Sequence, residues 1–426
     1  MQENGVYIAM KRLFAILLCL CLSIALCACS APAEDAVTSD STAISQPEST
    51  VEAESEAEPE PEPEPLPPPY LPNYLTGEEQ GEDYNANTRV TAVMVNNISS
   101  CRPQRGLTQA DILFESKVEG GITRFMALFQ DYTKLEGDLG PVRSGRDQFL
   151  RLAIPFDAFY MHIGRSGITQ TYIDQNEYWD RDVDGNGYNF IYRDTNRLNS
   201  GFALEHTAFT TADLLQEVFD KYEYNTERNY GEGATCFGFV PDVENGGERE
   251  IVGEDATAVR ITHSYSYRTN FDYDETTGKY LMSQWNGSRG AWHDTIDENN
   301  GEQLSFENVL VLWADITTYP YPGGNLDANG NDKGDPNYQK VDLDYGSLGY
   351  YFANGKMEPI RWFKGATTTM LRFTDMDENP IDLNCGKTYI GFVDLDEYYN
   401  FSYSGPETVV EEEVIESTGT EAEIGD

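Results

Sequence analysis

The sequence predicts an α+β protein, in which a mixed α+β N-terminal domain precedes a mainly β C-terminal domain. In residues 84–240, strand-like runs such as VTAVMVNN and RFMALFQDY alternate with helix signals at 144–154 and 210–224. Residues 255–404 contain short β-branched and aromatic runs separated by glycine and asparagine turns, which is typical of β-strands. Between the two domains, residues 241–254 mix proline, glycine and acids as linkers do.

The chain is strongly acidic, with a formal net charge of −44. Residues 30–65 contain eleven Asp or Glu and no Lys or Arg, and residues 407–426 contain eight acids and no base. Without these two segments and the +1 of residues 1–29, the rest of the chain has a charge of −26. This argues against a nucleic acid or a bare anionic membrane surface as partner, because both are bound by basic patches.

Residues 1–29 have the pattern of a lipoprotein signal peptide. Lys11 and Arg12 precede an apolar run that is short for a membrane span and ends in the letters LCACS. This ending is similar to the bacterial lipobox, in which the peptidase cuts before a lipid-bearing cysteine, here Cys29. Translation is expected to start at Met10, because MKRLFAILL is itself a typical signal start.

Two segments are predicted to be disordered. Residues 30–83 are rich in proline and glutamate and contain few apolar side chains, so they cannot bury enough surface to repay the entropy of ordering. We expect them to form an extended acidic tether between the membrane and the folded part. Residues 405–426 are predicted to be an acidic disordered tail.

The stretch GPVRSGRDQF places two cations at the start of a predicted helix. Ser144 followed by Asp147 is a capping-box pattern, so Ser144 is the predicted N-cap. Arg143 then lies just outside the helix and Arg146 lies in its first turn, where the helix dipole disfavours cations. The arrangement predicts that the two guanidinium groups bind a ligand carboxylate or phosphate. The alternative is an internal ion pair with a carboxylate of the same chain.

Five stretches resemble the YerB-like family of Gram-positive cell-surface lipoproteins. They are RPQRGLTQADILFESKVEGGITRFMALFQDY with GPVRSGRDQF and FYMHIGRSG in the first half, and YDETTGKYLMSQWNGSRGAWHD with CGKTYIGFV in the second. The resemblance implies a surface lipoprotein with a two-part domain of unknown function, and it implies no reaction. The positions at which such a family would place its site are Glu115, Glu119, Arg124, Arg143, Ser144, Arg146, His162 and His206. The last of these, His206, follows a Glu, whereas the family more usually has a Pro before this histidine.

Glu115 and Glu119 bracket the letters SKV, so a strand containing both would direct them to the same side. Two carboxylates in that position are candidates for a catalytic acid and base. Alternatively, they form ion pairs with Arg124 and Arg143. His162 ends the apolar run AFYMHIG and is either a third catalytic candidate beside the arginines or a structural, hydrogen-bonded histidine.

The stretch DRDVDGNGY is similar to the first half of a calcium-binding loop. Asp180, Asp182 and Asp184 alternate and are followed by Gly185. Ile191 occupies the place of the bidentate glutamate, which excludes a complete EF-hand. Calcium binding and simple Asp/Asn turn chemistry are therefore the two open interpretations. No other cofactor is predicted.

After lipidation of Cys29, the remaining thiols are Cys101, Cys236 and Cys385. An odd number of scattered cysteines argues against a disulfide framework, although a single bridge stays open. The cysteines and histidines also lack the spacing of a zinc site.

These observations predict an extracytoplasmic lipoprotein anchored to the outer face of the membrane of a Gram-positive-type bacterium. We expect it to bind an anionic cell-wall component or a wall-synthesis protein through the surface around Arg143 and Arg146. The alternative is a wall-acting hydrolase or transferase that uses Glu115 or Glu119 with the two arginines as an anion clamp. In a third interpretation, the chain is an assembly factor for wall-synthesis enzymes and its arginines only stabilise the fold.

Overall fold

A computed structural model describes residues 71–81, 84–231, 233–242, 246–287, 289–320 and 336–405. The predicted signal peptide with Cys29, the tether up to residue 70 and the acidic tail from residue 406 lie outside the described residues. Within the described part, every helix is too short or too polar to cross a bilayer.

The centre of the fold is a mixed sheet of eleven strands. In spatial order its strands are β19 (Arg372–Thr374), β18 (Lys356–Phe363), β17 (Ser347–Ala353), β14 (Asn308–Ala314), β20 (Thr388–Asp394), β2 (Ile112–Lys117), β3 (Thr123–Phe129), β1 (Thr91–Asn96), β4 (Phe159–His162) and β5 (Asp182–Asp184), and β8 (Glu254–Asp255) pairs with β18. Strands β1, β4 and β5 run parallel, and β2 runs parallel to β20.

The described part of the chain also contains a second sheet of six strands and two short strand pairs. The second sheet contains β12 (Ala291–Asp294), β11 (Lys279–Asn286), β10 (Tyr267–Asp274), β9 (Ala258–Ser264) and β21 (Ser402–Ser404), with β13 (Ser305–Phe306) beside β11. The short pairs are β6 (Tyr192–Arg193) with β7 (Ala208–Phe209), and β15 (Ile316–Thr318) with β16 (Gln339–Val341).

Four α-helices lie in the described residues of the first half of the chain. They are α1 (Asp147–Ala153), α2 (Gly167–Gln175), α3 (Thr195–Asn199) and α4 (Ala212–Lys221). The predicted helix at 210–224 is confirmed, and the Thr211 hydroxyl caps α4 by accepting a hydrogen bond from the Leu214 amide.

The predicted N-cap at Ser144 is wrong. Helix α1 starts at Asp147, Arg146 is the N-cap residue, and no side chain caps this end. Residues 143–145 are instead tied to neighbouring strands, since the Arg143 amide donates to the Met94 carbonyl at 2.9 Å. The pairing of this segment with the sheet outweighs the local capping signal.

Successive side chains of each strand point to opposite faces of the large sheet, and both faces are buried. On one face, Met94 of β1 packs in a core with Leu150 of α1. On the other face, Val95 belongs to a core that contains Phe219 of α4 and Phe271 of the second sheet. Burying each such large apolar side chain stabilises the fold by about 1.5–3 kcal/mol.

The predicted α+β class is confirmed, with a mixed first half and a second half made mainly of strands. The structure differs from the predicted division at residues 241–254, because strands of both halves share the large sheet. Strand β2 of the first half pairs with β20 of the second, with Leu113 opposite Tyr389. The folded part also begins before residue 84, since Leu75 and Thr76 are fully buried.

Candidate anion-binding site

The segment containing Arg143 and Arg146 crosses the carboxyl ends of two parallel strands. The Arg143 amide donates a hydrogen bond to the Met94 carbonyl of β1. The Arg143 carbonyl accepts one from the Ile163 amide, just after β4, at 3.1 Å. Side chains from separate loops converge at such an edge, which is the usual place for ligands in open sheets of this type.

Arg124 and Arg146 are both bound to Glu119. Glu119 Oε1 accepts from Arg124 Nη2 at 2.7 Å and also from Arg146 Nη2, while Oε2 accepts from Arg146 Nε at 2.8 Å. Arg124 Nη1 also donates to the Ser144 carbonyl at 2.6 Å. The ring of Tyr338 covers the Arg146 guanidinium at 5.0 Å. These two arginines thus have partners within the chain, as the alternative interpretation of an internal ion pair requires.

This ion-pair cluster fixes the charge of Glu119. Burial alone raises the pKa of this carboxyl, but the hydrogen bond from Arg146 and the charges of Arg124 and Arg146 lower it to about 2. Burial and the charge of Arg146 lower the pKa of Arg124. A carboxylate with so low a pKa is a poor general acid at neutral pH and a weak base, so the cluster does not support the predicted catalytic role of Glu119.

Arg143 differs from the other two arginines. Its side chain is partly exposed and has no hydrogen bond or ion pair to any of the described residues. The hydroxyl of Ser144 beside it is likewise without a hydrogen-bond partner in the described part of the chain. Of Arg124, Arg143 and Arg146, only Arg143 has a guanidinium group that is without a partner in the described residues and can bind a ligand.

The surroundings of Arg143 are cationic. The Val142 amide donates to the Ala208 carbonyl at 2.7 Å, which places Arg143 alongside the residues before β7. Burial, with Arg143 as the next contributor, lowers the pKa of Arg193. Burial also lowers the pKa of His206, and Arg143 lowers it further against the opposing effect of Glu205. Burial is the largest cause of both shifts and Glu205 opposes both, but the contribution of Arg143 shows that its charge acts on these two side chains.

An open cavity of about 360 Å³ adjoins His206. Its walls are formed by Ser100, Ser200, Gly201, Phe202, Ala203 and His206. The hydroxyl of Ser100 can donate a hydrogen bond to a bound oxyanion, whereas the Ser200 hydroxyl already donates to the Asn196 carbonyl at 2.8 Å. Arg143 does not line this cavity, but its charge acts on His206, which does. His206 is one of the positions that the family resemblance implied for the site.

Glu115 lies in the interior and is 1% exposed. Its carboxylate accepts hydrogen bonds from four side chains and lies 3.4 Å from the imidazole of His263. The four donors are Thr123 at 2.6 Å, Tyr389 at 2.7 Å, Thr269 at 2.9 Å and Asn97 at 3.0 Å.

The hydrogen bonds explain the charge state of Glu115. Burial raises its pKa, but His263 and the bonds from Thr123 and Tyr389 lower it to about 2. Because its partners come from both halves of the chain, the carboxylate joins the large sheet to the second sheet. This is a structural position, and it does not support the prediction of a catalytic acid or base.

His162 is fully buried in a network between β4 and β5. Its Nε2 lies 2.8 Å from Asp182 Oδ1, and Arg165 Nη1 donates to Asp182 Oδ2 at 2.8 Å and to Asp184 Oδ2 at 3.1 Å. Asp180 projects into solvent beside Arg181. The aspartates of the predicted calcium loop are thus divided between separate ion pairs, and no cluster of three metal-ligating side chains occurs in the described residues.

Two important polar residues were missed in the sequence. His263 and Asn97 are both buried partners of Glu115. His263 occupies an inward position of the alternating strand AVRITHS, and Asn97 directly follows the apolar run of β1. A polar residue in the buried phase of a strand was the available signal, but its partner is far away in the sequence.

The three cysteines that the structure describes are all buried. Cys101 and Cys236 are free, buried thiols, and Cys385 is also buried. Burial raises the pKa of Cys101 to about 12, against the opposing charges of Arg102 and Arg197. Thiols in this state are unreactive.

The fold and site thus define an α+β protein with a shared central sheet and an exposed arginine at its edge. Comparison with known families shows which family the chain belongs to. The DUF3048 N-terminal domain, described as part of a protein of unknown function, matches residues 75–225, and its C-terminal domain matches residues 258–390. The chain therefore belongs to the family that contains this two-part domain, as the resemblance predicted.

One relative has both a curated sequence and a solved structure. The Bacillus subtilis protein named "Putative lipoprotein YerB" is 26% identical over 276 residues, which are 64% of this chain and 72% of that protein. The crystal structure of YerB protein from Bacillus subtilis matches with a TM-score of 0.60 at 25% identity, covering 78% of this chain and 99% of that one. The homology extends over most of the described part.

Proposed function

We propose that this chain is a membrane-anchored extracytoplasmic lipoprotein whose folded part binds an anionic group at Arg143. The signal-peptide pattern ending at Cys29 and the homology to a protein named as a lipoprotein support the anchor. The acidic, proline-rich residues between Cys29 and the folded part supply a spacer from the membrane surface. The ligand is an anionic cell-wall component or a carboxylate of a wall-synthesis protein.

The observation that supports the binding role is the contrast between Arg143 and its neighbours. Arg124 and Arg146 share the carboxylate of Glu119, whereas Arg143 lies partly exposed near Arg193 and His206 without an ion-pair partner in the described residues. The like charges of Arg143 and Arg193 repel each other, and Glu205 opposes this effect without forming an ion pair with either arginine in the described residues. A bound anion would relieve this repulsion.

The overall charge narrows the class of ligand. The folded part and its flanking loops have a large excess of acids, so a long polyanion would be repelled by most of the surface. A single phosphate or carboxylate on an otherwise neutral or cationic molecule needs only the local potential at Arg143. Screening at physiological salt limits the repulsion from acids more than about 8 Å away.

The hydrolase or transferase alternative has no described catalytic pair to support it. Glu115 is enclosed by five polar partners, and Glu119 is held by two guanidinium groups. The binding role requires neither carboxylate to exchange protons.

Calorimetric titration of the full chain with glycerol phosphate, and separately with acetate, tests the binding site. We expect Arg143→Ala to weaken binding of the preferred anion at least tenfold, because a charge-assisted hydrogen bond is lost. Arg372→Ala is the matched control, since Arg372 is an exposed arginine on β19 at the other edge of the large sheet. Equal binding by the wild type and Arg143→Ala would contradict the proposal.

The anchor is tested separately. We expect a lipid precursor to label the wild-type chain in cells and the protein to sediment with membranes. In the Cys29→Ala variant, both labelling and sedimentation should be lost, because a single apolar run of this length is a marginal membrane span. A Cys29→Ala protein that stays lipid-labelled would show that another residue bears the anchor.

A further inference from the structure

The outer face of the second sheet contains a pair of tryptophans. Trp285 of β11 lies directly opposite Trp292 of β12, and their indole rings pack edge to face with centroids 5.6 Å apart. Both side chains are partly exposed. Gln284, next to Trp285 in the strand, points to the opposite face, where it is buried and donates to Asn97. The tryptophan pair therefore lies on the side of the sheet that faces solvent.

Arg268 and Tyr265 extend this pair into a longer row. The guanidinium carbon of Arg268, on the neighbouring strand β10, lies 5.4 Å from the centre of the Trp285 ring. The same carbon lies 5.6 Å from the ring of Tyr265, which is 86% exposed. Tyr265, Arg268, Trp285 and Trp292 thus form a continuous row across three strands, which we call the aromatic strip.

A second arginine lies beside the aromatic strip. Arg260 of β9 is exposed, and its guanidinium carbon lies 5.9 Å from the centre of the Trp292 ring. Neither Arg260 nor Arg268 forms a hydrogen bond or an ion pair with a residue that the structure describes. An arginine that rests on an aromatic ring is held in position while its N–H groups stay available as donors.

The strip has further unused hydrogen-bonding groups. The indole N–H groups of Trp285 and Trp292 have no acceptor in the described part of the chain. Asp294 follows Trp292 by two residues on β12, so its exposed carboxylate projects from the same face. This carboxylate has no ion pair with any described residue. A ligand on the strip would therefore meet both donors and acceptors around flat apolar rings.

The charges on this face of the sheet balance. Arg260 and Arg268 are matched by Asp272 and Asp294, which project from the same face. An anionic ligand would be opposed by the acidic body of the molecule, and a cationic one would meet the guanidinium groups that already lie over the rings. A neutral ligand fits this balance best.

The strip is also too narrow for a typical protein partner. Its neighbours on the same face are polar, since Thr262 lies opposite Arg268 and Ser402 lies opposite Arg260. A stable protein interface buries about 800 Å² on each partner, which requires a broad surface. A row of rings bordered by polar groups instead suits a chain of sugars, each of which has an apolar C–H face and a rim of hydroxyl groups.

We infer that the aromatic strip binds a neutral, linear oligosaccharide. Sugar rings would pack on the three aromatic rings, and their hydroxyl groups would accept hydrogen bonds from the two arginines and donate to Asp294. The strip contains no residue of the proposed anion site at Arg143. Either proposal can therefore fail without the other.

The probes are triacetylchitotriose and cellotriose, each titrated into the full chain by calorimetry. We expect at least one of them to bind, and Trp292→Ala to weaken that binding about tenfold, because a ring that the sugar covers is lost. Trp292→Tyr keeps a ring and should recover most of the affinity. Arg268→Ala should also weaken binding about tenfold, because it removes hydrogen-bond donors. Thermal melting checks that each variant is folded.

Trp179→Ala and Arg372→Ala are the matched controls. Trp179 is 54% exposed and follows α2, and Arg372 is exposed on β19, so both lie outside the second sheet. Both variants, and Arg143→Ala, should bind the sugar as the wild type does. Failure of the wild type to bind either probe, or unchanged binding by folded Trp292→Ala or Arg268→Ala, would overturn the inference. Tighter binding of trigalacturonate than of both neutral probes would contradict a neutral ligand.

Discussion

Glu119 binds Arg146 with both carboxylate oxygens, through Nε at 2.8 Å and through Nη2. Arg146 is 7% exposed, so this is a largely buried ion pair. Arg143 lies only three residues earlier and has no such partner in the described chain. Two cations of one short motif therefore have different roles, one in the fold and one at the surface.

The first prediction concerns the stability of these two arginine variants. Arg146→Ala should lower the free energy of unfolding by about 3 kcal/mol or more, because it leaves Glu119 short of a buried partner. Arg143→Ala should change it by less than about 1 kcal/mol. Urea unfolding followed by circular dichroism measures both. A similar loss in the two variants would show that Arg143 also has a structural partner.

The second prediction concerns the stability of the folded chain at acidic pH. The pKa values of Glu115 and Glu119 are about 2 in the folded chain, below the ordinary value of 4.5. Their stabilising contribution is thus complete above pH 4.5 and is lost as the pH falls toward 2. For the fully buried Glu115 this amounts to about 3 kcal/mol.

Urea unfolding at pH 6 and at pH 3 tests the acid prediction. The wild type should lose stability over this interval, and Glu119→Gln should lose less of it, because Gln has no proton to gain. Asp377→Asn, at an exposed position, should retain the full wild-type loss. An identical acid dependence in the wild type and Glu119→Gln would contradict the assigned pKa of Glu119.

The third prediction concerns thiol reactivity. Burial raises the pKa of Cys101 to about 12 and that of Cys236 well above its ordinary value. Both should resist iodoacetamide at pH 8 in the native chain and react in denaturant, because the thiolate is the reactive form. Peptide mass spectrometry reads out each cysteine separately. Rapid native labelling of Cys101 would indicate that the loop after β1 opens.

The fourth prediction concerns calcium. Asp182 and Asp184 both form ion pairs with Arg165, so calcium would have to break these ion pairs in order to bind the two carboxylates. If a calcium site existed, a calcium concentration of a hundred times its Kd would raise the free energy of unfolding by about 2.7 kcal/mol. We expect calcium at such concentrations to leave the thermal midpoint unchanged. A rise that disappears in Asp184→Asn would instead support the calcium loop.

Local features of the fold could be predicted from the sequence. Helix α4 has the Thr211 cap and an apolar face, and the strand-like run VTAVMVNN contains β1. The pairing of β2 with β20 could not be predicted, because these strands are far apart in the chain and parallel pairing leaves no turn signal between them. The predicted linker therefore appeared to separate two independent domains.

The sequence predicted which residues form the site, but it did not predict which of them form ion pairs with each other. The sequence indicated Glu119, Arg124, Arg143 and Arg146 as one polar group, and the structure does bring the first two together with Arg146. Which arginine would remain unpaired depended on long-range contacts. The capping signal at Ser144 was misleading, because the segment is held in extended form between β1 and β4.

The most direct test of the central claim is an anomalous-difference map from crystals of the full chain soaked in selenate. The account predicts a selenate at Arg143, with oxygens within about 3 Å of the guanidinium nitrogens, and none at Arg124 or Arg146. The same soak of Arg143→Ala crystals should show no selenate there. A wild-type map in which a carboxylate of the chain itself binds Arg143 and no selenate is present would contradict the account.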